Sequence, residues 1–220
     1  MPAAAEPKPL RLRERRLQVL DAARSLFFKK GYRGTTIQQI AARAGYSKRT
    51  VYLDYDNKDD LFMALCAEGA ELLLLQLQQV PGDQLAIEDG INQYLDIFVR
   101  FSRDNPQYFH MIFSEATPDI VDNCSDPVRN RIAGLERACL GIIVAWTERA
   151  MRERYIRTVD PWETAGIFVG TATGIILLSM GGSQTIFSRE ALEGLVKKAI
   201  WTFWQGLRVP TEPNPGGSNA

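Results

Sequence analysis

Residues Ile37–Tyr52 read IQQIAARAGYSKRTVY, two short helical stretches parted by a glycine. Two helices that cross steeply in so few residues need three things: a small side chain where they touch, a residue free to adopt left-handed φ in the turn, and an apolar residue closing the corner. Ala41, Gly45, and Val51 with Ile40 supply them in register. An Ala-x-x-x-Gly alone would fit any two surface helices joined by a glycine, so the polarity of the second helix matters more. Its exposed face is Lys48, Arg49 and Thr50, with Tyr52 one turn on, too polar for a core element. Ser47 stands in the cap position, so its hydroxyl and the amide end of the helix can face phosphate. Arg49 and Thr50 can present donors to base edges in a major groove. Lys58, at the start of the next helix, is placed to meet backbone phosphate again. The stretch predicts a helix-turn-helix that binds DNA, in preference to an unspecified basic surface.

The charge distribution around this motif agrees. The 220 residues hold 26 Lys+Arg and 26 Asp+Glu, a formal net charge of zero. Residues 1–65, however, carry 13 basic and 7 acidic side chains, and residues 66–220 carry 13 and 19. The balance is therefore a cancellation between a +6 and a −6 segment, the asymmetry expected of a nucleic-acid-binding or membrane-surface module joined to something else. With 45% hydrophobic and 24% charged residues, the chain is ordinary for one that buries a core.

No strand pattern persists, whereas helical periodicity recurs with nameable start signals. The expectation is an all-α protein of about nine helices. The first spans about Arg11 to Lys30 and stops at Gly31. Thr36 with Gln39 has capping-box spacing for a helix ending near Ala44, Ser47 caps the next through Tyr52, and Asn57 with Asp60 opens a long fourth helix. A helix striped by Ile87, Ile91, Tyr94, Phe98 and Phe101 follows, then a short aromatic helix of about Gln107–Glu115 and an acidic loop. Asp126-Pro127 starts a long helix with Ile132, Leu135, Cys139, Ile142 and Trp146 inward, and Asp160-Pro161 starts a glycine-rich one. Ser188 caps the last, with Val196, Ile200, Phe203 and Leu207 on one stripe. The predicted division is a disordered tail over 1–10, a helix-turn-helix domain over 11–65, a larger helical domain over 66–209 and a second disordered tail over 210–220.

From Thr164 to Ser188 there is no charged residue, and Gly166, Gly170 and Gly174 repeat the GxxxG spacing of membrane helix dimers. The segment also holds several Thr, Ser and Gln and lacks basic flanks or paired aromatic belts, so we read it as a buried helix–helix interface, with no membrane partner. Three cysteines without CxxC spacing argue against a disulfide framework or zinc site and for a reducing cytoplasm. A single histidine, His110, and the lack of GxSxG or GxxxxGK[ST] leave no catalytic, metal or cofactor site to nominate. The acids Glu115, Asp119, Asp122 and Asp126 lack EF-hand spacing. The competing reading is a helical interaction or membrane-associated protein whose basic N-terminal module meets anionic lipid.

The run from Arg13 to Phe62 resembles the DNA-binding domain of the tetracycline-repressor (TetR) family across its first four helices. The resemblance is carried by Leu26, Phe27, Gly31, Tyr32, Thr35-Thr36, Ile40-Ala41, Ala44-Gly45, Ser47-Lys48, Thr50, Tyr52, Tyr55, and Lys58 followed by acid and Leu61. It implies a transcriptional regulator, not an enzyme, with Thr36 and Gln38 touching DNA from the second helix. Tyr46, Ser47, Lys48, Arg49 and Thr50 would face the major groove, and Tyr52 and Lys58 would clamp phosphates. Arg49 departs from a position the family often keeps small, and Leu53 and Asp54 replace its common Tyr or His. An acid beside phosphate repels it, so Asp54 stays outside the contact set.

A helix-turn-helix reads half a palindrome, which calls for a homodimer on double-stranded DNA. In the family the last two helices form the dimer bundle; here Gly166, Gly170, Gly174 and Phe203 are the candidates, with Trp201 and Trp204 as either interface anchors or core. The resemblance also implies a small-molecule effector in the middle helices and release of a repressor from a palindromic operator. The candidate contacts are Tyr94, Phe98, Phe101, Met111, Trp146 and Phe168, each of which plain core packing would explain more readily. Their character suggests an apolar or aromatic ligand.

Overall fold

The computed structural model describes residues 8–82, 84–180 and 191–209. They form ten α-helices: α1 (Lys8–Lys30), α2 (Ile37–Ala44), α3 (Lys48–Tyr52), α4 (Lys58–Leu77), α5 (Ile87–Asp104), α6 (Pro106–His110), α7 (Pro118–Asn123), α8 (Asp126–Arg152), α9 (Pro161–Met180) and α10 (Leu192–Gln205). A π-helical turn, Met111–Glu115, joins α6 to the segment before α7. Among the described residues no strand forms, and only an isolated antiparallel bridge pairs Ile156 with Arg208. The chain is all-α, as its periodicity predicts.

Two expectations need correction. The acidic stretch expected as a loop contains α7: Thr117 is extended, Pro118 takes the first helical position and Asp119 lies in the first turn, the same start chemistry as the longer helices. Six residues with only Ile120 buried leave no periodicity to read. In addition, α1 starts at Lys8, so Lys8, Pro9 and Leu10 are helix rather than tail. The tail readings for residues 1–7 and 210–220 and the Ser188 cap lie outside the described residues; α10 starts at Leu192 without a side-chain cap.

The chain divides into two compact units, residues up to Leu75 with Phe101–Arg137, and Gln76–Arg100 with the residues from Ala138 onward. The dividing points fall inside α4, α5 and α8. The first unit contains the whole 11–65 segment. Its core joins Val19, Ala23 and Phe27 of α1 to Ile40, Ala41, Val51 and Tyr55, and to Leu61–Ala67 of α4, which is buried on every side. Met111, Ile120, Cys124 and Ile132 complete that cluster. Asp60 ties two helix starts together: its buried carboxylate accepts from the Asp56 amide at 3.0 Å and from the Ser125 amide at 2.7 Å, just before α8. Asn57 caps α4 through the Asp60 amide at 2.8 Å and donates to the Asn123 carbonyl at 2.8 Å.

In the second unit α10 runs antiparallel to α5, with Lys197 on Asp96 at 2.5 Å and the Trp201 indole donating to Asn92 at 2.9 Å. Trp204 is buried within the monomer and Trp201 is half-buried. Tyr94 stacks on Phe98 and meets Phe168 edge-on, with centroids 6.3 and 5.6 Å apart. The Trp146 ring lies directly over Gly90 of α5, where an added Cβ would fall 2.0 Å from it.

That contact yields a sign reversal. Glycine in a helix interior normally costs about 1 kcal/mol relative to alanine, so Gly90→Ala would stabilise α5 in isolation. Against the Trp146 ring it should instead destabilise the protein by about 1–3 kcal/mol through overpacking, read as a lower urea midpoint.

Candidate nucleic-acid interface

The helix-turn-helix is set by three local devices. Thr36 and Gln39 close a capping box on α2: the Gln39 amide donates to Thr36 Oγ1 at 3.3 Å, and the Thr36 amide donates to Gln39 Oε1 at 3.2 Å. Gly45 ends α2 at φ 76°, where a Cβ would meet no neighbouring atom; backbone conformation, not space, requires glycine. The Tyr46 amide then donates to the Ala41 carbonyl at 2.9 Å. Ser47 caps α3, accepting from the Thr50 amide at 3.1 Å and sharing a hydrogen bond with the Thr50 hydroxyl at 2.9 Å. Ile40 and Val51 are fully buried and Ala41 nearly so, as the corner reading predicts.

Two long-range residue pairs fix α3 against α1. Before α3, the Tyr46 hydroxyl donates to Gln18 Oε1 at 2.5 Å. After it, the Arg15 guanidinium grips Asp54 with two bonds of 2.7 and 2.8 Å. The Asp54 side chain is only 2% exposed, and its carboxylate raises the Arg15 pKa above its ordinary value, hydrogen bonding outweighing burial. Asp54, the acid that fits poorly beside phosphate, is therefore a structural partner turned inward.

The remaining side chains separate by what they touch. Gln38, Lys48, Arg49 and Tyr52 are exposed. Thr36, Ser47 and Thr50 hold caps, and Tyr46 holds α1. Lys58 points inward: its ammonium donates to the Tyr32 and Thr35 carbonyls at 3.1 and 3.2 Å and lies 3.7 Å from the centre of the Tyr32 ring. Burial lowers its pKa, against the nearby charge of Asp59. The ammonium expected to meet phosphate is thus held in this structure by carbonyls of its own chain.

Comparison with known proteins is decisive at this point. Residues 19–65 match the family model described as "Bacterial regulatory proteins, tetR family". Residues 19–65 are thus a tetR-family domain. Along most of its length it is similar to the HTH-type transcriptional regulator SrpR of Pseudomonas putida, 23% identical over 198 residues that cover 90% of this chain and 87% of SrpR. Its fold is that of a tetR-family regulatory protein from Rhodococcus RHA1, TM-score 0.67 at 18% identity over 90% of this chain and 99% of the other. It is also that of AibR, solved in complex with isovaleryl coenzyme A and operator DNA, TM-score 0.63 at 21% identity over 84% and 97%. The protein is a helix-turn-helix transcriptional regulator.

Elsewhere in the chain, the candidate effector residues are all buried. Tyr94, Phe98 and Phe168 form one aromatic cluster, to which burial adds a raised Tyr94 pKa. Trp146 packs on Gly90. Phe101 and Met111 belong to the first unit, where Met111 borders a hollow of about 260 Å³ lined also by Phe27, Phe28, Pro106 and His110. His110 is half exposed, 3.6 Å from Glu115. On α9, Gly166, Gly170 and Gly174 all face outward and a Cβ on any of them would meet nothing, while Thr164, Ala165, Phe168, Ala172 and Ile176 face inward. By length and composition α9 could cross a membrane, with a third of its apolar window buried.

Sequence reasoning missed Arg15 and Gln18 altogether. Their partners lie 39 and 28 positions away, beyond any local pattern, and the one available signal was Asp54 as a misfit. Removing Arg15 leaves the Asp54 carboxylate buried without its partner, so Arg15→Ala should cost about 1–3 kcal/mol. Arg13→Ala, at an exposed position two residues away, should change stability by no more than about 0.5 kcal/mol. Denaturant titration of the two variants checks the contrast.

Proposed function

We propose that this tetR-family regulator is a cytoplasmic homodimeric repressor that leaves a palindromic operator when a small apolar or aromatic molecule binds its larger helical domain. The division into a DNA-binding part over 11–65 and an effector and dimerisation part over 66–209 belongs to the same reading. The observation that carries it is the outer face of α3. Lys48 and Arg49 are exposed and have no ion-pair partner among the described residues, on a capped helix whose ends are fastened to α1. A charged face held rigid and left unpaired suits an anionic partner. Gln38 and Tyr52 extend the contact, Thr36, Ser47 and Thr50 reach it from the helix caps and Tyr46 from its bond to α1, and Lys58 joins it on turning outward. A dimer seated over a palindrome excludes other proteins from it, which supports the repressor sense.

The aromatic cluster of Tyr94, Phe98 and Phe168, with Trp146, suits an apolar or aromatic effector, and AibR, of the same fold, was solved with an acyl coenzyme A and DNA. Coupling of about 1–3 kcal/mol would weaken DNA binding about 5- to 150-fold. The second copy is assigned to α9, whose outward face carries Trp162, Ile167 and Leu178 beside the three glycines, together with Phe203 of α10. Exposed apolar side chains flanking a glycine stripe favour a second helix over water.

Selection of duplexes from a random pool should return an inverted repeat whose half-sites are about 34–36 Å apart. Arg49→Ala should then relax preference at one base pair of each half-site by about 1–3 kcal/mol; equal affinity of the parent chain for every duplex would sink the reading. For the dimer, Gly170→Ala should strengthen the isolated helix by up to about 1 kcal/mol yet weaken self-association in sedimentation equilibrium. A more stable variant with unchanged self-association would remove α9 from the interface.

A further inference from the structure

The basic run at the start of α1, RLRERR over Arg11–Arg16, is only partly used by the fold. Arg15 is held by Asp54, and Arg16 lies over the Tyr55 ring at 5.4 Å. Arg11 and Arg13 are exposed and have no carboxylate partner among the described residues. The first turn of α1 holds no acid, although the positive end of a helix dipole favours one there. The helix thus begins with cations where its own field disfavours them, an arrangement that an external anion would relieve.

The anchors of α3 show where that anion lies. Gln18 bonds Tyr46, just before α3, and Arg15 bonds Asp54, just after it. Moving along α1 from Gln18 to Arg15 therefore passes from the start of α3 to its end, and continuing by one turn, about 6 Å of rise, reaches Arg11. At 100° per residue Arg11 is offset by only about 40° from Arg15 and about 20° from Gln18, so it shares the face that holds α3. Arg13 is about 200° from Arg11, on the opposite face. Tyr52 and Leu53, at the end of α3 that this extrapolation reaches, are 49% and 69% exposed.

We infer that Arg11 binds a DNA phosphate beyond the groove stretch read by α3, extending the positive row of Lys48 and Arg49 past the end of that helix. This rests on the DNA-binding reading above and adds a contact outside the helix-turn-helix. Phosphate is the ligand because the site offers one guanidinium on a helix flank, which positions a backbone without reading a base.

The test is the salt dependence of binding to a duplex carrying the inverted repeat that the parent protein selects. Each phosphate neutralised contributes about 0.9 to the slope of log K against log salt, so a dimer should lose about 1.8 in Arg11→Ala. Between about 50 and 200 mM salt the variant should lose about tenfold less affinity than the parent. Arg11→Lys should keep most of the slope, and Arg13→Ala should leave it unchanged despite the same change in net charge. Alanine suits the helix at both positions, and matched thermal melts establish that each variant folds. An unchanged slope in Arg11→Ala, or equal losses in Arg11→Ala and Arg13→Ala, overturns the proposal. A parent protein that prefers no duplex overturns the DNA-binding reading and this proposal with it.

Discussion

A helix of five residues does not hold itself in place. Nucleating a single turn is unfavourable in water, so the pose of α3 (Lys48–Tyr52) is decided by what fastens its two ends. The Gly45 turn and the Ser47 cap shape it locally, Val51 nails its inner face into the core, and the Tyr46–Gln18 and Arg15–Asp54 bonds fix it to a helix of 23 residues. Of these, the Arg15 fork carries the most consequence. It is bidentate, and such pairing specifies orientation as well as distance. It also turns an acid away from the exposed face of α3, which carries Lys48 and Arg49.

The same unit that holds α3 also contains the segment from Phe101 to Arg137. Glu68 of α4 joins Arg24 of α1 at 2.7 Å to Tyr108 of α6 at 2.6 Å, and burial with that carboxylate raises the Tyr108 pKa. Gly69 lies against the Tyr108 ring so closely that a Cβ would fall 2.8 Å from it. Together with the Asp60–Ser125 and Asn57–Asn123 bonds, these contacts pack the DNA-binding helices with α6, α7 and the start of α8. A shift of α6 or of the start of α8 is therefore felt by α1 and α4, the helices to which α3 is fastened.

Much of this was legible in the sequence. Capping chemistry is local: Thr36 with Gln39, Ser47, Asn57 with Asp60, and Asp160 ahead of Pro161 each satisfy backbone amides within three residues, so spacing alone reveals them. Apolar periodicity placed the long helices for the same reason. What escaped notice was either too short to repeat, as with α7, or formed between distant residues. Lys58 shows the limit well. Its position after a turn and ahead of two acids suits a phosphate contact, yet the carbonyls that take its ammonium, those of Tyr32 and Thr35, lie more than 20 positions back.

The sequence by itself determined an all-α chain, the caps of α2 and α3, the left-handed turn at Gly45 and the family that those helices resemble, because each depends on residues within a turn or two of one another. Only the tertiary structure decided which charges face outward. Arg15 and Asp54 pair with each other and the Lys58 ammonium bonds carbonyls of its own chain, while Arg11, Lys48 and Arg49 stay exposed. Opposite charges find each other through space rather than along the chain, and the sign of a residue does not say which way the fold turns it.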